Sequence, residues 1–296
     1  MTSISSELET FERFLQQKTI SHLQRDGGET PANLSNSIQY SLFAPGKRIR
    51  PRLVIASARL LGVPSEVALR LGAAIEMIHC FTLIHDDLPC MDNDDFRRGR
   101  PSNHKVHGES VALLAGNSLM ALAFELVSDC RHLLPDGSSQ EGVFAALDRL
   151  LTVSGPRGVL GGQAQEFLLS QESPLTAVKA MFAGKTGALF VASVLMPADF
   201  ALLKRFPEKT AALTRFAEAL GFAFQVMDDF DDAPQADSAE RSKPTNILFH
   251  LSEAEASREG RAPLLESMRQ CESAFGTSEF SELKALAAEV LARIPE

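Results

Sequence analysis

Five aspartates and three arginines crowd into HDDLPCMDNDDFRRGR, residues 85–100, directly after the apolar run IEMIHCFTLI. Carboxylates this close repel one another, so an undecorated domain must raise some of their pKa values or leave the segment loose in water. A bound cation removes the conflict. Asp86 and Asp87 are followed by Asp92 after LPCM, where Pro89 is expected to end the helix and let the backbone bring Asp92 round to its partners. A second acidic group, FQVMDDFDD at 224–232, repeats the logic: Asp228 and Asp232 are four residues apart on one helical face, with Asp229 beside them. Oxygen-only ligand sets favour magnesium over zinc or iron. A calcium EF-hand fails, because counting from Asp92 its glycine and glutamate positions hold Arg97 and Asn103.

A magnesium ion held by a few carboxylates keeps open positions for phosphate oxygens, which makes the cations around it the next clue. Arg97 and Arg98 follow the first acidic group. PGKRIRPR, 45–52, supplies Lys47, Arg48 and Arg50, while Lys185 lies in GKTG and Lys243 in SKPTN. Arginine forks match phosphate oxygens in pairs, and lysine serves as a movable point charge. In a chain this acidic, basic residues gathered near apolar helix ends predict a diphosphate pocket. The bland alternative for any one of them is a solvated face.

The elements that must hold these groups read as helices, with no convincing strand alternation. The segment 65–88 carries Val67, Leu71, Ala74, Ile75 and Ile78 at helical spacing, with Ser65 as a cap just after Pro64. The segment 109–134 has no proline and is apolar on most faces, which predicts a helix surrounded by others. Pro207 suits a first helical turn, and 208–232 reads as one long helix ending in the second acidic group. Breaks fall near 26–31, 135–140, 170–174, 233–244 and 258–263, none long enough for a domain linker, and no repeat recurs at a fixed period. A single all-α domain over 1–296 is expected.

Composition narrows the setting. With 296 residues, 45% of them apolar, the chain can bury a sizeable core, and one Tyr with no Trp favours helix over sheet. A net charge of −9 argues against nucleic acid or an anionic membrane surface as main partner. Cys80, Cys90, Cys130 and Cys271 show no CxxC spacing, lie in apolar or helical stretches, and read as reduced thiols in a cytosol without a zinc site. The N-terminal MTSISSELETFERFLQQ is unlike a signal or transit peptide, and the longest apolar run, GALFVASVLM, is short of a membrane span. A cytoplasmic protein is expected.

GKRIRP, EMIHCFTLIHDDLPCMDNDDFRRGRPSNHKVHGE, LAGN, GGQAQEF, GKTG and FQVMDDFDD occur in this order between residues 40 and 250, and the chain thereby resembles the trans-isoprenyl diphosphate synthases of the farnesyl and geranylgeranyl type. The resemblance implies an isoprenoid synthase fold: a bundle of about a dozen helices, a homodimer, and two aspartate-rich motifs facing each other across a deep central cavity. By the same resemblance Asp86, Asp87 and Asp92 are ligands of two magnesium ions, and Asp228, with Asp229 and Asp232 in support, of a third. The ions bridge the diphosphate of dimethylallyl or geranyl diphosphate, with Arg97, Lys185 and Lys243 on the same leaving group. Lys47, Arg50, His79 and Arg98 are similar to the separate, metal-free pocket for isopentenyl diphosphate, and Thr186 and Gln225 to the polar groups facing a nascent carbocation. Phe81 and Thr82, five and four residues before Asp86, stand where a growing product would be stopped. Phe81 resembles bacterial farnesyl synthases, whereas PCMDNDDFRRG and NHKV also resemble plant and cyanobacterial geranylgeranyl synthases. The fifteen-carbon product is the expectation and the twenty-carbon product its alternative, with plain core packing the other role for Phe81.

The sequence departs from the family pattern in three places. Asn117 in LAGN and Glu166 in GGQAQEF stand where an aspartate is common, and the loop APQADSAERSKPTN is short and offers Lys243 alone as a phosphate cation. Two other classes are weighed. A non-catalytic subunit of a prenyl synthase usually loses an acidic motif, and this chain has both. A terpene cyclase shares the metal logic but has no need of Lys47, Arg50 and His79. His85 reads as an outer-sphere hydrogen bonder, His104 and His107 as structural, and Phe222, Phe224, Met120 and Phe124 as core.

Overall fold

The computed structural model describes residues 4–25, 30–133, 140–232 and 239–296. Among these the chain forms α1 (Ile4–Leu23), α2 (Ala32–Leu42), α3 (Ile49–Leu60), α4 (Ser65–Asp86), β1 (Phe96–Arg97), β2 (Arg100–Pro101), α5 (Asn103–His107), α6 (Glu109–Ser128), α7 (Gln140–Ser154), α8 (Val159–Glu166), α9 (Leu175–Phe182), α10 (Ala188–Phe200), α11 (Pro207–Asp232), α12 (Ile247–His250), α13 (Glu253–Phe275) and α14 (Ser281–Leu291). The expected all-α class is the one found. The breaks expected at 26–31, 135–140 and 233–244 fall wholly or partly outside the described residues. The helices group into two compact units, residues 1–55 with 64–137, and 56–63 with 138–296.

In the first unit α4 is the central element, packed on α6, α1 and α2. Leu71, Ile75, Met77 and Phe81 are buried along it. Ser65 is already its first helical residue and Pro64 holds the cap position without a side-chain bond, so the expected serine cap is absent. Its helix ends at Asp86, two residues short of expectation, because Pro89 has no N–H to give and disfavours helical geometry at Leu88. The partner helix α6 buries Ala112, Ala115, Leu119, Ala123 and Leu126, yet Leu113 and Leu114 are 45% and 53% exposed. It is therefore open on one face rather than surrounded as expected. The two-residue strands pair antiparallel, Phe96 opposite Pro101 and Arg97 opposite Arg100. Arg98 and Gly99 between them both have positive φ, 54° and 74°, the geometry of a type I′ turn. Strands of two residues are too short for alternation to show in a sequence.

In the second unit α11 starts at Pro207 as expected and packs on α13, α10 and α14. Phe216 of α11 meets Phe280 edge to face at 5.1 Å between ring centroids. The break expected at 258–263 lies inside α13, which a Ser252–Glu255 capping box starts and which runs through Gly260 and Pro263. Gly260 serves packing there: a Cβ on it would lie 3.1 Å from Val226 Cγ1. The expected break at 170–174 is found, and α9 begins at Leu175. A π-helical turn over 183–187 joins α9 to α10, so GALFVASVLM is only part of a continuous helical stretch. Among the described residues three stretches, 65–86, 109–133 and 175–200, are long and apolar enough to cross a membrane by length and composition alone.

Candidate active site

The first acidic motif closes into a turn at the C-terminus of α4. Asp92 N donates to Asp86 O at 2.9 Å and Asn93 N to Leu88 O at 3.1 Å, with Asn93 in the left-handed region at φ 55°. The chain thus folds Asp92 back onto Asp86, as the proline led us to expect. Asp87, 2% exposed, faces the hairpin instead: its Oδ1 accepts from Arg97 Nε at 2.9 Å and from Arg97 Nη2, which also donates to Asp94 Oδ2 at 2.9 Å. Burial pushes the Asp87 carboxyl above the usual range in spite of that guanidinium.

The hairpin is pinned by residues that the sequence reading passed over. Tyr40 of α2 donates its hydroxyl to Pro101 O at 2.8 Å, and its ring lies 4.1 Å from the Arg100 guanidinium. Asn103 accepts from Ser37 Oγ at 2.7 Å and donates to Ser37 O and Ser41 Oγ at 2.9 and 2.8 Å. Helix α2 therefore sets where Arg97 and Arg98 sit. A cleft of about 470 Å³, its open mouth included, lies between α2, α4 and the hairpin, with Glu76, Cys80, Asp87 and Arg97 in its wall.

Of the group expected to hold the second diphosphate, the structure brings His79, Arg50 and Arg98 together. Burial, then the charges of Arg50 and Arg98, hold the His79 imidazole well below its ordinary pKa, so it is neutral at pH 7. Arg98 Nη1 donates to Pro45 O at 3.3 Å and lies over Gly46, where a Cβ would come 2.9 Å from it. Lys47 is exposed on the same loop. Arg48 corrects the sequence reading: it is buried and bonded to Glu12 and Glu76, not presented to solvent as a phosphate cation.

Phe81 is 2% exposed and meets the His85 ring at 4.8 Å, while Thr82 Oγ1 donates to His79 O at 2.8 Å. His85 Nε2 lies 3.1 Å from Leu113 O, in space that Gly116 leaves by having no Cβ. Its partner is therefore helix α6. His104 contacts Ser102 Oγ through Nδ1 at 3.1 Å, and His107 meets the Tyr40 ring at 5.3 Å, both in structural positions. Phe124 and Met120 are half-buried. Cys90 is exposed in the LPCM turn, outside the apolar or helical stretches expected to hold all four cysteines, whereas burial pushes the thiols of Cys80, Cys130 and Cys271 up to about 12.

The second unit carries the other expected residues on α8, the π turn and α11. Close backbone approach makes this possible. A Cβ on Gly162 would lie 2.0 Å from Lys185 N, and one on Gly221 would lie 2.9 Å from Gly187 Cα. Lys185 forms an ion pair with Glu166, to which Gln163 Nε2 also donates at 2.8 Å. Thr186 Oγ1 donates to Gln225 Oε1 at 2.7 Å, Gln225 Nε2 donates to Asp229 Oδ1 at 2.9 Å, and Ile247 N donates to Asp229 Oδ2 at 2.6 Å. Both Asp229 oxygens thus accept from the protein, which fixes the Gln225 amide and the start of α12. Asp228 is half-buried and Asp232 exposed on the same helix end, and Asp231 pairs with Arg293. Lys243 is exposed in the turn before α12. Half-buried Phe224 meets Phe190 at 4.7 Å with the rings tilted by 42°, and half-buried Phe222 lies 6.2 Å from Phe182.

Among the described residues no three His, Cys, Asp or Glu side chains form a ready-made metal cage. The donor chemistry nevertheless fits magnesium. That ion keeps waters and substrate phosphates and takes only one or two protein carboxylates, which Asp86 with Asp92, and Asp228 with Asp232, can each supply.

Comparison with known proteins covers the same part of the chain. A sequence model of the family described as Polyprenyl synthetase matches residues 31–246. The chain is 41% identical over 211 residues to the farnesyl diphosphate synthase of Geobacillus stearothermophilus, an alignment covering 71% of this chain and 69% of that one. It is 39% identical over 208 residues to a chloroplastic geranylgeranyl pyrophosphate synthase of Catharanthus roseus, covering 70% of this chain but only 57% of that protein's length. The crystal structure of an FPP/GFPP synthase from Zymomonas mobilis superposes with a TM-score of 0.78 at 32% identity, covering 97% of this chain and 100% of that one. This chain belongs to the polyprenyl synthetase family, and its fold is that of the isoprenyl synthases.

Proposed function

We propose that the chain is a magnesium-dependent prenyltransferase that joins isopentenyl diphosphate to dimethylallyl or geranyl diphosphate and gives farnesyl diphosphate. The observation that carries this reading is the turn that folds Asp92 back onto Asp86, beside an Asp87 held by Arg97, in a member of this family. Bound at the carboxylates of both acidic motifs, magnesium would neutralise the diphosphate as it leaves. Arg97, Lys185 and Lys243 add fixed positive charge to the same leaving group. Cleavage of the allylic C–O bond leaves a carbocation and diphosphate; the double bond of isopentenyl diphosphate attacks that carbocation to form the new C–C bond, and a proton is lost to the released diphosphate. The Thr186 hydroxyl hydrogen is committed to Gln225 Oε1 and one Gln225 amide hydrogen to Asp229, so the Thr186 oxygen has its lone pairs left for a cation. Neutral His79, with Arg50 and Arg98, suits a second diphosphate without metal, which favours an elongating enzyme over a cyclase.

Phe81 is buried one helical turn before Asp86, and we propose that it stops the product at fifteen carbons; a twenty-carbon product is the alternative. A homodimer belongs to the same reading, supported by Leu113 and Leu114 exposed on α6. Incubation with magnesium, geranyl diphosphate and isopentenyl diphosphate, followed by chromatography of the dephosphorylated products, tests the proposal. An alcohol longer by five carbons supports it, whereas no turnover or a released hydrocarbon contradicts it. Phe81→Ala should lengthen the product; an unchanged product returns Phe81 to core packing alone.

A further inference from the structure

We infer that Arg48 is the positioning residue of the pocket proposed for isopentenyl diphosphate, acting on its phosphate-binding neighbours through a buried ionic knot; the inference rests on that proposed function. Arg48 is 4% exposed and sits in the left-handed region at φ 48°, a conformation that a side-chain-bearing residue keeps only where its surroundings hold it. The holding contacts are complete. Nε donates to Glu12 Oε1 at 2.7 Å, Nη1 donates to Glu76 Oε1, and Nη2 donates to the carbonyls of Leu42 and Ala44 at 3.0 Å each and to Glu12 Oε2 at 3.3 Å. One guanidinium thereby ties α1, the end of α2 and α4 to the loop that leads into α3.

What that loop and that part of α4 carry gives the knot its purpose. Lys47 precedes Arg48, Arg50 follows two residues on, and Pro45 O receives Arg98 over Gly46. Glu76 lies three residues before His79 on α4, one turn away. Arg48 thus lies between Lys47 and Arg50 in the chain, and the groups it bonds, Ala44 and Glu76, stand next to the Pro45 carbonyl that holds Arg98 and one turn before His79. A lysine would keep the charge but not the planar fork that reaches two carboxylates and two carbonyls at once.

The test uses Arg48→Lys, with Glu12→Gln as a milder variant that still reports if the first fails to fold. In wild-type protein that elongates geranyl diphosphate, Arg48→Lys should raise KM for isopentenyl diphosphate about tenfold while kcat and KM for geranyl diphosphate stay within about threefold; Glu12→Gln should show a smaller rise of the same kind. At native helical content, unchanged KM for isopentenyl diphosphate, or equal losses for both substrates, overturns the inference. Calorimetric titration of isopentenyl diphosphate without metal separates the two claims. If wild type does not elongate but binds it and Arg48→Lys binds it about tenfold more weakly, the function fails and the positioning role stands. Equal affinity in wild type and variant, or no binding to wild type, overturns the positioning role.

Discussion

His79 shows what a single residue can be held to. Its imidazole is kept well below its ordinary pKa by burial and by Arg50 and Arg98, so below about pH 6.5 the unfolded chain binds a proton that the folded chain refuses. The stability it leaves in place above that pH is lost as pH falls through it. Unfolding midpoints followed by circular dichroism should decline between pH 7.5 and 5.5, and His79→Gln should flatten part of that slope; identical slopes would show that His79 is not so buried among charges. At Thr186 the expectation concerns rate. Thr186→Val removes the hydrogen bond to Gln225 and should lower kcat roughly tenfold, the factor that one net hydrogen bond carries, with little change in KM. Resemblance to the family pointed to Thr186 and Gln225, whereas residue types alone pointed to Asp86, Asp87 and Asp92. They could not separate Arg48 from Lys47 and Arg50, since all three are basic residues in one short run. What distinguishes Arg48 is two carboxylates, Glu12 and Glu76, that lie 36 and 28 residues away in sequence.

Elements were legible where a local rule decides them and not where packing does. Pro207 marks the start of α11 and Pro89 the end of α4, because a missing N–H acts on its own neighbours. Gly260 and Pro263 read as a break but are helical, since α13 packs on α11 and the glycine admits Val226. The hairpin at 96–101 gives no sequence signal for the opposite reason: its two-residue strands carry no periodicity, and it is defined by their pairing and by the positive φ of Arg98 and Gly99. The π turn that carries Lys185 and Thr186 depends on glycines in contact with its backbone. Gly162→Ala would place a Cβ 2.0 Å from Lys185 N, an atom that cannot rotate aside, so α8 must move. We expect a loss of about 1–3 kcal/mol in denaturant unfolding together with a fall in kcat. Full stability and full activity would mean that α8 and the turn separate without consequence.

For the whole molecule, the helical class and the family are secured by sequence pattern and comparison alike, and the proposed assembly and chemistry are open to direct measurement. Sedimentation equilibrium should return twice the 32.1 kDa chain mass, and charged substitutions at Leu113 and Leu114 should lower it; a monomer at micromolar concentration would remove the homodimer. We propose that both acidic motifs, 136 residues apart at Asp92 and Asp228, bind diphosphate through magnesium. Calorimetric titration of inorganic pyrophosphate onto wild type, Asp86→Asn, Asp228→Asn and the double variant, with magnesium and with chelator, tests it most directly. Binding should require magnesium and weaken at least about tenfold in each single variant, with the double variant less impaired than the sum of the two. Affinity that survives chelation, or that either substitution leaves unchanged, would contradict it.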